Sequence, residues 1–233
     1  MRIGIIGPTE TEIMPFINKI ESKEIAKHAM INFYTGNFEN ASIVAVVSGV
    51  CKVNAAIATQ ILIDKFDVTH IILTGVAGAL DQNLRIGDVV IAKEVAHHDV
   101  ARNILTEYHP CMEDIYFKTD SKMLQDILEI SKSLSATNRF YTGRIISGEA
   151  FIKDSKRYRL MEIFEPQCVD MESAAVAHVC YVNTIPFLII RAISDLANEA
   201  STETFESNVE EVSLHSLLLV EELIKSYGKK KEI

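Results

Sequence analysis

None of the four cysteines, Cys51, Cys111, Cys168 and Cys180, stands in C-x-x-C spacing with another. That removes a zinc ribbon and a disulfide framework from consideration and makes a reducing cytoplasmic setting the expectation. Clustered lysine and arginine are also missing. The net charge is −9 and the one basic run, Lys229-Lys230-Lys231, sits at the end, so no nucleic acid or anionic membrane is expected as partner. Residues 229–233 read as a solvated basic tail. No apolar run approaches membrane-spanning length, and Met1–Ile6 is too short for a signal-peptide core, so a soluble protein is expected. Gly4 and Gly7 form G-x-x-G rather than G-x-G-x-x-G, and no Walker lysine follows, which excludes a dinucleotide or P-loop fingerprint. Ser48, Ser147 and Ser194 lack a histidine partner in a nucleophile elbow, so acyl transfer is unsupported. His97-His98-Asp99 invites a metal, but neighbours on a strand point to opposite faces, and no metal is expected there.

What is present is material for a core. Of 233 residues, 48% are apolar and 24% charged, a globular balance. Arg2–Gly7 reads as a buried strand, and Thr9-Glu10-Thr11-Glu12 has capping-box spacing ahead of a helix carrying Ile13, Met14, Phe16 and Ile17. Ile31–Phe38 and Ser42–Ser48 read as a hairpin about Asn40. A helix with apolar positions Val53, Ala56, Ile57, Ile61, Leu62 and Phe66 leads to a strand, His70–Leu73, closed by Thr74-Gly75-Val76-Ala77-Gly78. Asp88–Val95 is strand-like. Val100–Phe117 has no period and reads as a long loop, a length that points to function. Ser121–Leu134 and Asp154–Phe164 read as helices, Tyr141–Ser147 and Pro186–Ala192 as strands, and Phe205–Ile224 as one long helix. The alternation implies a single-domain three-layer α/β sandwich over residues 1–228, with a central twisted sheet, largely parallel or mixed.

In open α/β sheets, ligands bind beyond the carboxyl ends of the strands. Three junctions of that kind deliver a carboxylate: Glu12, Glu172 within Val169-Asp170-Met171-Glu172-Ser173-Ala174-Ala175, and Asp195 after Ser194. Each has a purely structural explanation. Glu12 closes a capping box, Asp170 caps the following helix while Glu172 complements its dipole, and Asp195 begins a loop. Gly75 and Gly78 either shape a tight turn or bring backbone to a ligand. Three such explanations at one edge of one sheet sit together less easily than a shared polar ligand.

These junctions form an ordered set: Ile3-Gly4-Ile5-Ile6-Gly7 with Glu12, Tyr34-Thr35-Gly36, Ser48-Gly49 running to Lys52-Val53-Asn54-Ala55-Ala56, and Thr74–Gly78. It continues with Gly87-Asp88-Val89-Val90, His98-Asp99, Ser147-Gly148, Phe151-Ile152, Met171-Glu172 and Arg191-Ala192-Ile193-Ser194-Asp195. Over nearly its whole length the chain resembles the 5′-methylthioadenosine/S-adenosylhomocysteine nucleosidases, within the nucleoside phosphorylase superfamily. The resemblance implies a homodimer that hydrolyses the N-glycosidic bond of 5′-substituted adenosines and releases adenine without cofactor. It implies that Glu12 activates water and Asp195 protonates adenine N7. Glu172 with Met171 would hold the ribose hydroxyls, Phe151 would stack on adenine, the Ile152 backbone would bond its edge, and Phe205 would line the ribose and 5′ region. Val76 and Ser194 complete the implied substrate contacts. Such groups suit an oxocarbenium-like transition state, which needs nearby negative charge, an activated water and an acid for the leaving group.

The chain departs from the family in three places, one of them Val76, which stands where many members have Ser. Pro8-Thr9-Glu10-Thr11-Glu12 stands where Ala-Met-Glu-Glu-Glu is common, and within Val100–Phe117 the run Ala101–Tyr108 replaces an Asp-Val-Thr-Ala-Phe-Gly-Tyr-like one in the region that, the resemblance implies, forms the 5′ pocket, partly across the dimer. Either Arg102 and Glu107 face that pocket and favour a polar 5′ group, or they turn outward and leave Ile104, Leu105 and Tyr108 to line it. Two other readings stay open. Phosphorolysis, as in purine nucleoside phosphorylases, needs arginines around phosphate where this chain offers Glu10 and Glu12. A non-catalytic nucleoside-binding relative is the other.

Overall fold

The computed structural model describes residues 1–135, 138–152, 154–197 and 201–229, with backbone alone at 154–156 and 201–202. Its elements run β1 (Arg2–Gly7), α1 (Glu10–Ile17), β2 (Glu21–His28), β3 (Ile31–Phe38), β4 (Ala41–Val47), α2 (Lys52–Phe66), β5 (His70–Ala79) and β6 (Val89–His97). They continue with α3 (Arg102–Glu107), β7 (Phe117–Lys118), α4 (Ser121–Leu134), β8 (Phe140–Ser147), α5 (Asp154–Phe164), β9 (Cys168–Asp170), α6 (Ser173–Val182), β10 (Phe187–Asp195) and α7 (Ser201–Lys229). Residues 230–233 of the basic tail lie outside the described residues.

The strand order is β10-β6-β8-β9-β5-β1-β4-β3-β2, with β7 on β6. A further pairing of β10 with β5 closes β5, β10, β6, β8 and β9 into a ring, from which β1, β4, β3 and β2 extend as an open wing. Of the described pairings, β1–β4, β1–β5, β5–β10, β6–β8 and β8–β9 are parallel and the rest antiparallel, so the sheet is mixed.

Helices cover both faces. On one side α2 and α6 bury Ala55, Ala58, Leu62, Ala175, Val176 and Cys180; on the other α1, α4 and α7 bury Ile13, Phe16, Ile127, Leu219 and Leu223. Strand β1 feeds both layers, with Ile3 and Ile5 on the α1/α7 side and Ile6 on the α2/α6 side, as a period of two requires. Helix α1 opens with the anticipated capping box between Thr9 and Glu12. Pro15 lies inside α1 and donates no backbone hydrogen bond, and the Thr11 carbonyl one turn earlier instead accepts from Ser213 Oγ of α7 at 3.5 Å.

Several expectations change. Strand β2 has no counterpart in the sequence reading. The Thr74–Gly78 segment is not a turn that closes β5 but its last half, hydrogen-bonded to β10 and β9. Val100–Phe117 contains the short helix α3 rather than loop alone. In α2 the sheet-facing positions are Ala55, Ala58, Thr59, Leu62 and Phe66, so the assigned apolar positions Val53 and Ile57 are exposed. The small residues Ala55, Ala58 and Thr59 share the inner face with Leu62 and Phe66, and that phase leaves Val53 and Ile57 outside. Among the described residues no helix is long and apolar enough to cross a membrane.

Candidate active site

Strand pairing assembles the site. Ser147 lies opposite Asp170 across β8 and β9, while Gly78 of β5 lies opposite Val169 of β9 on one side and Asp195 of β10 on the other. The turn from β1 into α1 brings Glu12 over the same end. A single cavity results, and Glu12, Val76, Phe151, Ile152, Met171, Glu172, Ser194, Asp195 and Phe205 all line it. Phe151 is half exposed at the rim and meets Phe205 edge-on, ring centroids 6.0 Å apart.

Glu12 is buried. Its Oε2 accepts from Thr9 N at 3.0 Å and Thr9 Oγ1 at 2.6 Å, and its Oε1 accepts from Val76 N at 2.9 Å. Its capping bond therefore coexists with a cavity-facing position, and the structural and functional explanations do not compete. Burial raises its proton affinity above the ordinary 4.5, against the opposing pull of Arg191 and of the Thr9 and Val76 donors. Glu172 stands where a dipole complement should, at the start of α6, but its oxygens are engaged elsewhere. It occupies the N-cap position of α6 without capping through its side chain; instead Oε1 accepts from Cys51 N at 2.9 Å and Oε2 from Arg191 Nη2 at 3.1 Å. Burial raises its proton affinity too, with Arg191 opposing and Asp170 adding to the rise. Asp195 Oδ1 accepts from Ala197 N at 2.8 Å and Oδ2 from Ser194 Oγ at 3.0 Å.

Gly75 has a reason that composition did not show. Its φ is +146°, and a Cβ there would stand 2.4 Å from Glu12 Oε1 and 2.5 Å from Arg191 Nη1. The glycine is what lets these two groups approach β5. Gly75→Ala is expected to destabilise the fold by at least the ~1–3 kcal/mol of a backbone held in that region. It is also expected to displace Glu12, so a lowered melting temperature should accompany a loss of turnover. An unchanged melting temperature would show that the strand relaxes freely.

Arg191 and Asp170 were missed as site residues. Arg191 is fully buried, with Nε 2.7 Å from Asp170 Oδ2, Nη2 on Glu172, and Nη1 3.9 Å from Glu12 Oε1. A signal existed: an arginine inside the apolar run Phe187–Ala192 cannot be buried without carboxylate partners. Cys51 also escaped notice because its backbone N–H, not its thiol, makes the contact.

At the rim, Lys52 Nζ grips both oxygens of Asp99 at 2.7 and 2.8 Å, and Asp99 accepts from Glu149 N at 3.1 Å, tying the α2 start to the loop that carries Phe151. His97 turns away into an aromatic group with Phe117 and His178, and burial, with Lys52 nearby, pushes it down to about 4. Among the described residues no group of three His, Cys, Asp or Glu could hold a metal.

In the loop that departs from the family, Arg102 Nη2 donates to Ile163 O at 3.0 Å and its guanidinium lies over Phe164, while Glu107 accepts from Asn103. Neither lines the cavity, and neither do Ile104, Leu105 or Tyr108 of the same chain; Leu105 packs on the core, and Ile104 and Tyr108 are exposed. Replacing Arg102 and Glu107 together by Ala should leave the preference between methylthio- and homocysteinyl-adenosine unchanged, measured as the ratio of kcat/KM values. A shifted ratio would return these charges to the pocket.

The cavity, at the carboxyl ends of parallel strands in a part-closed mixed sheet, defines the class. Residues 2–225 match the model of the phosphorylase superfamily. A 5′-methylthioadenosine/S-adenosylhomocysteine nucleosidase of Staphylococcus aureus (strain JH9) is 36% identical over 226 residues, spanning 95% of this chain and 98% of the relative. The crystal structure of the nucleosidase of that name from Neisseria meningitidis, in complex with methylthio-immucillin-A, has a TM-score of 0.91 and 30% identity over 97% of this chain and 99% of that one. The Colwellia psychrerythraea nucleosidase in complex with adenine has a TM-score of 0.90 and 32% identity over 96% of this chain and 94% of that one. The chain belongs to the 5′-methylthioadenosine/S-adenosylhomocysteine nucleosidase family.

Proposed function

We propose that this protein hydrolyses the N-glycosidic bond of 5′-methylthioadenosine and S-adenosylhomocysteine, with Glu12 activating water, Asp195 protonating adenine N7 and Glu172 holding the ribose hydroxyls. One observation carries the reading: Glu12, Glu172 and Asp195 line one cavity whose described lining holds no lysine or arginine. Negative charge around the sugar favours an oxocarbenium-like transition state and repels phosphate. Arg191 does not alter this, since it is buried behind the lining and taken up by Asp170 and Glu172. A buried carboxylate with raised proton affinity is suited to take a proton from water. Phe151 and Phe205 offer aromatic surface for the purine and the 5′ group, and Ile152 and Met171 flank them.

The protein acts as one domain over residues 1–228, as a homodimer and in the cytoplasm. The exposed apolar residues Val53 and Ile57 on α2 and Tyr181 and Val182 on α6 support the dimer. The test is a panel of adenosines differing only in the 5′ substituent, scored for adenine release with and without phosphate. Release of free sugar at a rate independent of phosphate is expected; phosphate dependence would move the protein to the phosphorolytic branch, and no release would make it a binding relative.

A further inference from the structure

Asp170 takes no part in the mechanism above, yet it is the most heavily hydrogen-bonded carboxylate at the site. Its Oδ1 accepts from Ser147 Oγ at 2.5 Å and Ser173 N at 3.2 Å; its Oδ2 accepts from Arg191 Nε at 2.7 Å and from Ser173 Oγ. Ser147 Oγ itself accepts from Ala174 N at 2.9 Å, which commits its one proton to Asp170. Every group around Asp170 is thus a donor, and a carboxylate is the side chain whose two oxygens only accept. Capping α6 uses one of these contacts and does not explain the other three.

The contact with Arg191 Nε fixes the plane of the guanidinium. With that edge held, Nη2 reaches Glu172 Oε2 at 3.1 Å, and Nη1 lies 3.4 Å from the Thr74 carbonyl and 3.9 Å from Glu12 Oε1. We infer that Asp170 is a positioning residue for glycosidic-bond cleavage, holding Arg191 so that the Glu172 oxygens keep their remaining lone pairs for the ribose and Glu12 is left able to accept a proton. The inference rests on the proposed roles of Glu12 and Glu172.

The charged groups facing Arg191 are Asp170 from β9, Glu172 from the junction into α6 and Glu12 from α1. Cys168 on β9 faces Arg191 and Cys51 faces Glu172; both thiols stay neutral, because burial raises Cys168 well above its usual range and pushes Cys51 up to about 11. Asp195 lies beyond Cys168. Without the Asp170 charge, Arg191 would act unopposed on the two remaining carboxylates. It would draw Glu172 into closer pairing and away from the ribose, and lower the proton affinity of Glu12, making it a weaker base.

The test compares Asp170→Asn with Asp170→Glu, taking active-site concentration from a tight-binding transition-state analogue and measuring kcat, KM and the pH dependence of kcat/KM. Asp170→Asn turns an amide N–H₂ towards donors and removes the charge. It should lower kcat by ~10²-fold, the scale of a misplacement of about 1 Å. It should also raise KM and move the acid limb of the profile to lower pH. Asp170→Glu, which keeps the charge, should hold the limb near its wild-type position. A residue that mattered only for folding would reduce the fraction of active protein and leave kcat per site and the limb unmoved, and that result would overturn the inference. If Asp170→Asn does not fold, Ser147→Ala and Ser173→Ala loosen the same carboxylate without removing charge; wild-type kcat and KM in both would overturn it equally. Wild-type protein that releases no adenine would remove the functional reading itself, whereas wild-type turnover with an unmoved Asp170→Asn limb removes this inference alone.

Discussion

Glu12→Gln should bind substrate analogues normally and lose most turnover, by ~10²–10⁴-fold, the usual effect of deleting a general base. The amide keeps the shape of the side chain. It keeps one acceptor, so either the Thr9 pair or Val76 N–H faces an N–H₂ group, at a cost of about 1–3 kcal/mol. An opposite effect offsets this, because the buried carboxylate is itself unfavourable. Its proton affinity is raised by burial, so between pH 4.5 and the raised value the folded state binds more protons at this site than the unfolded state does. Wild-type stability therefore carries a loss that grows as pH rises through the raised value, and Gln has none. The melting temperature of Glu12→Gln, low relative to wild type near pH 5, should approach or pass it near pH 8. Calorimetric affinity for a methylthioadenosine analogue, kcat, and melting at the two pH values separate the roles. Near-normal kcat would leave Glu12 with its cap alone.

What the sequence disclosed about this site, and what it hid, follows from the kind of interaction involved. Glu12, Glu172 and Asp195 were legible as cavity-lining candidates because each stands at the end of a strand or in the junction just after one, and a carboxylate there is conspicuous. Phe151 and Ile152 needed the ordered family pattern, since nothing local marks a rim phenylalanine. Asp170 looked like a cap because its contacts with Ser147 and Arg191 span 23 and 21 residues. Pairings of that range leave no periodicity to read. The same holds for the β5–β10 contact that closes the ring, and for Gly75, whose necessity comes from side chains that arrive from α1 and β10.

Strand β2 was missed for a different reason. Glu21–His28 is mostly exposed and charged, as an edge strand should be to discourage pairing with other chains, and charge on an edge looks like loop. In α2 the error was one of phase. Ala55, Ala58 and Thr59 are small and only moderately apolar, so Val53 and Ile57 dominated the count although they face outward.

Asp195→Asn should remove the proposed leaving-group acid and little else, which makes it the sharper test of the chemistry. Asp195 receives one backbone donor, Ala197 N at 2.8 Å, and one hydroxyl, Ser194 Oγ at 3.0 Å. An asparagine can keep its carbonyl oxygen on Ala197 N and offer its N–H₂ to Ser194 Oγ, since a hydroxyl accepts as readily as it donates. Ser194 then turns its own proton towards the Ala77 carbonyl, 3.4 Å away. The second amide N–H turns to the cavity that the side chain lines, and the close packing on Gly78 is preserved because the isostere has nearly the same volume. The fold should therefore survive with its melting temperature nearly unchanged. Cleavage of methylthioadenosine should fall by ~10²–10⁴-fold, because adenine is a poor leaving group unless N7 is protonated and an amide has no proton to give. A nitrophenyl riboside departs as a stable anion and asks for no such proton, so its hydrolysis should be largely spared while still depending on Glu12. Running both substrates through wild type, Asp195→Asn and Glu12→Gln gives a pattern that a general disturbance of the cavity cannot imitate: one variant selective for the adenine leaving group, the other impaired on both. Equal losses by Asp195→Asn on the two substrates would mean that Asp195 holds the loop through Ala197 and that the leaving-group proton comes from elsewhere.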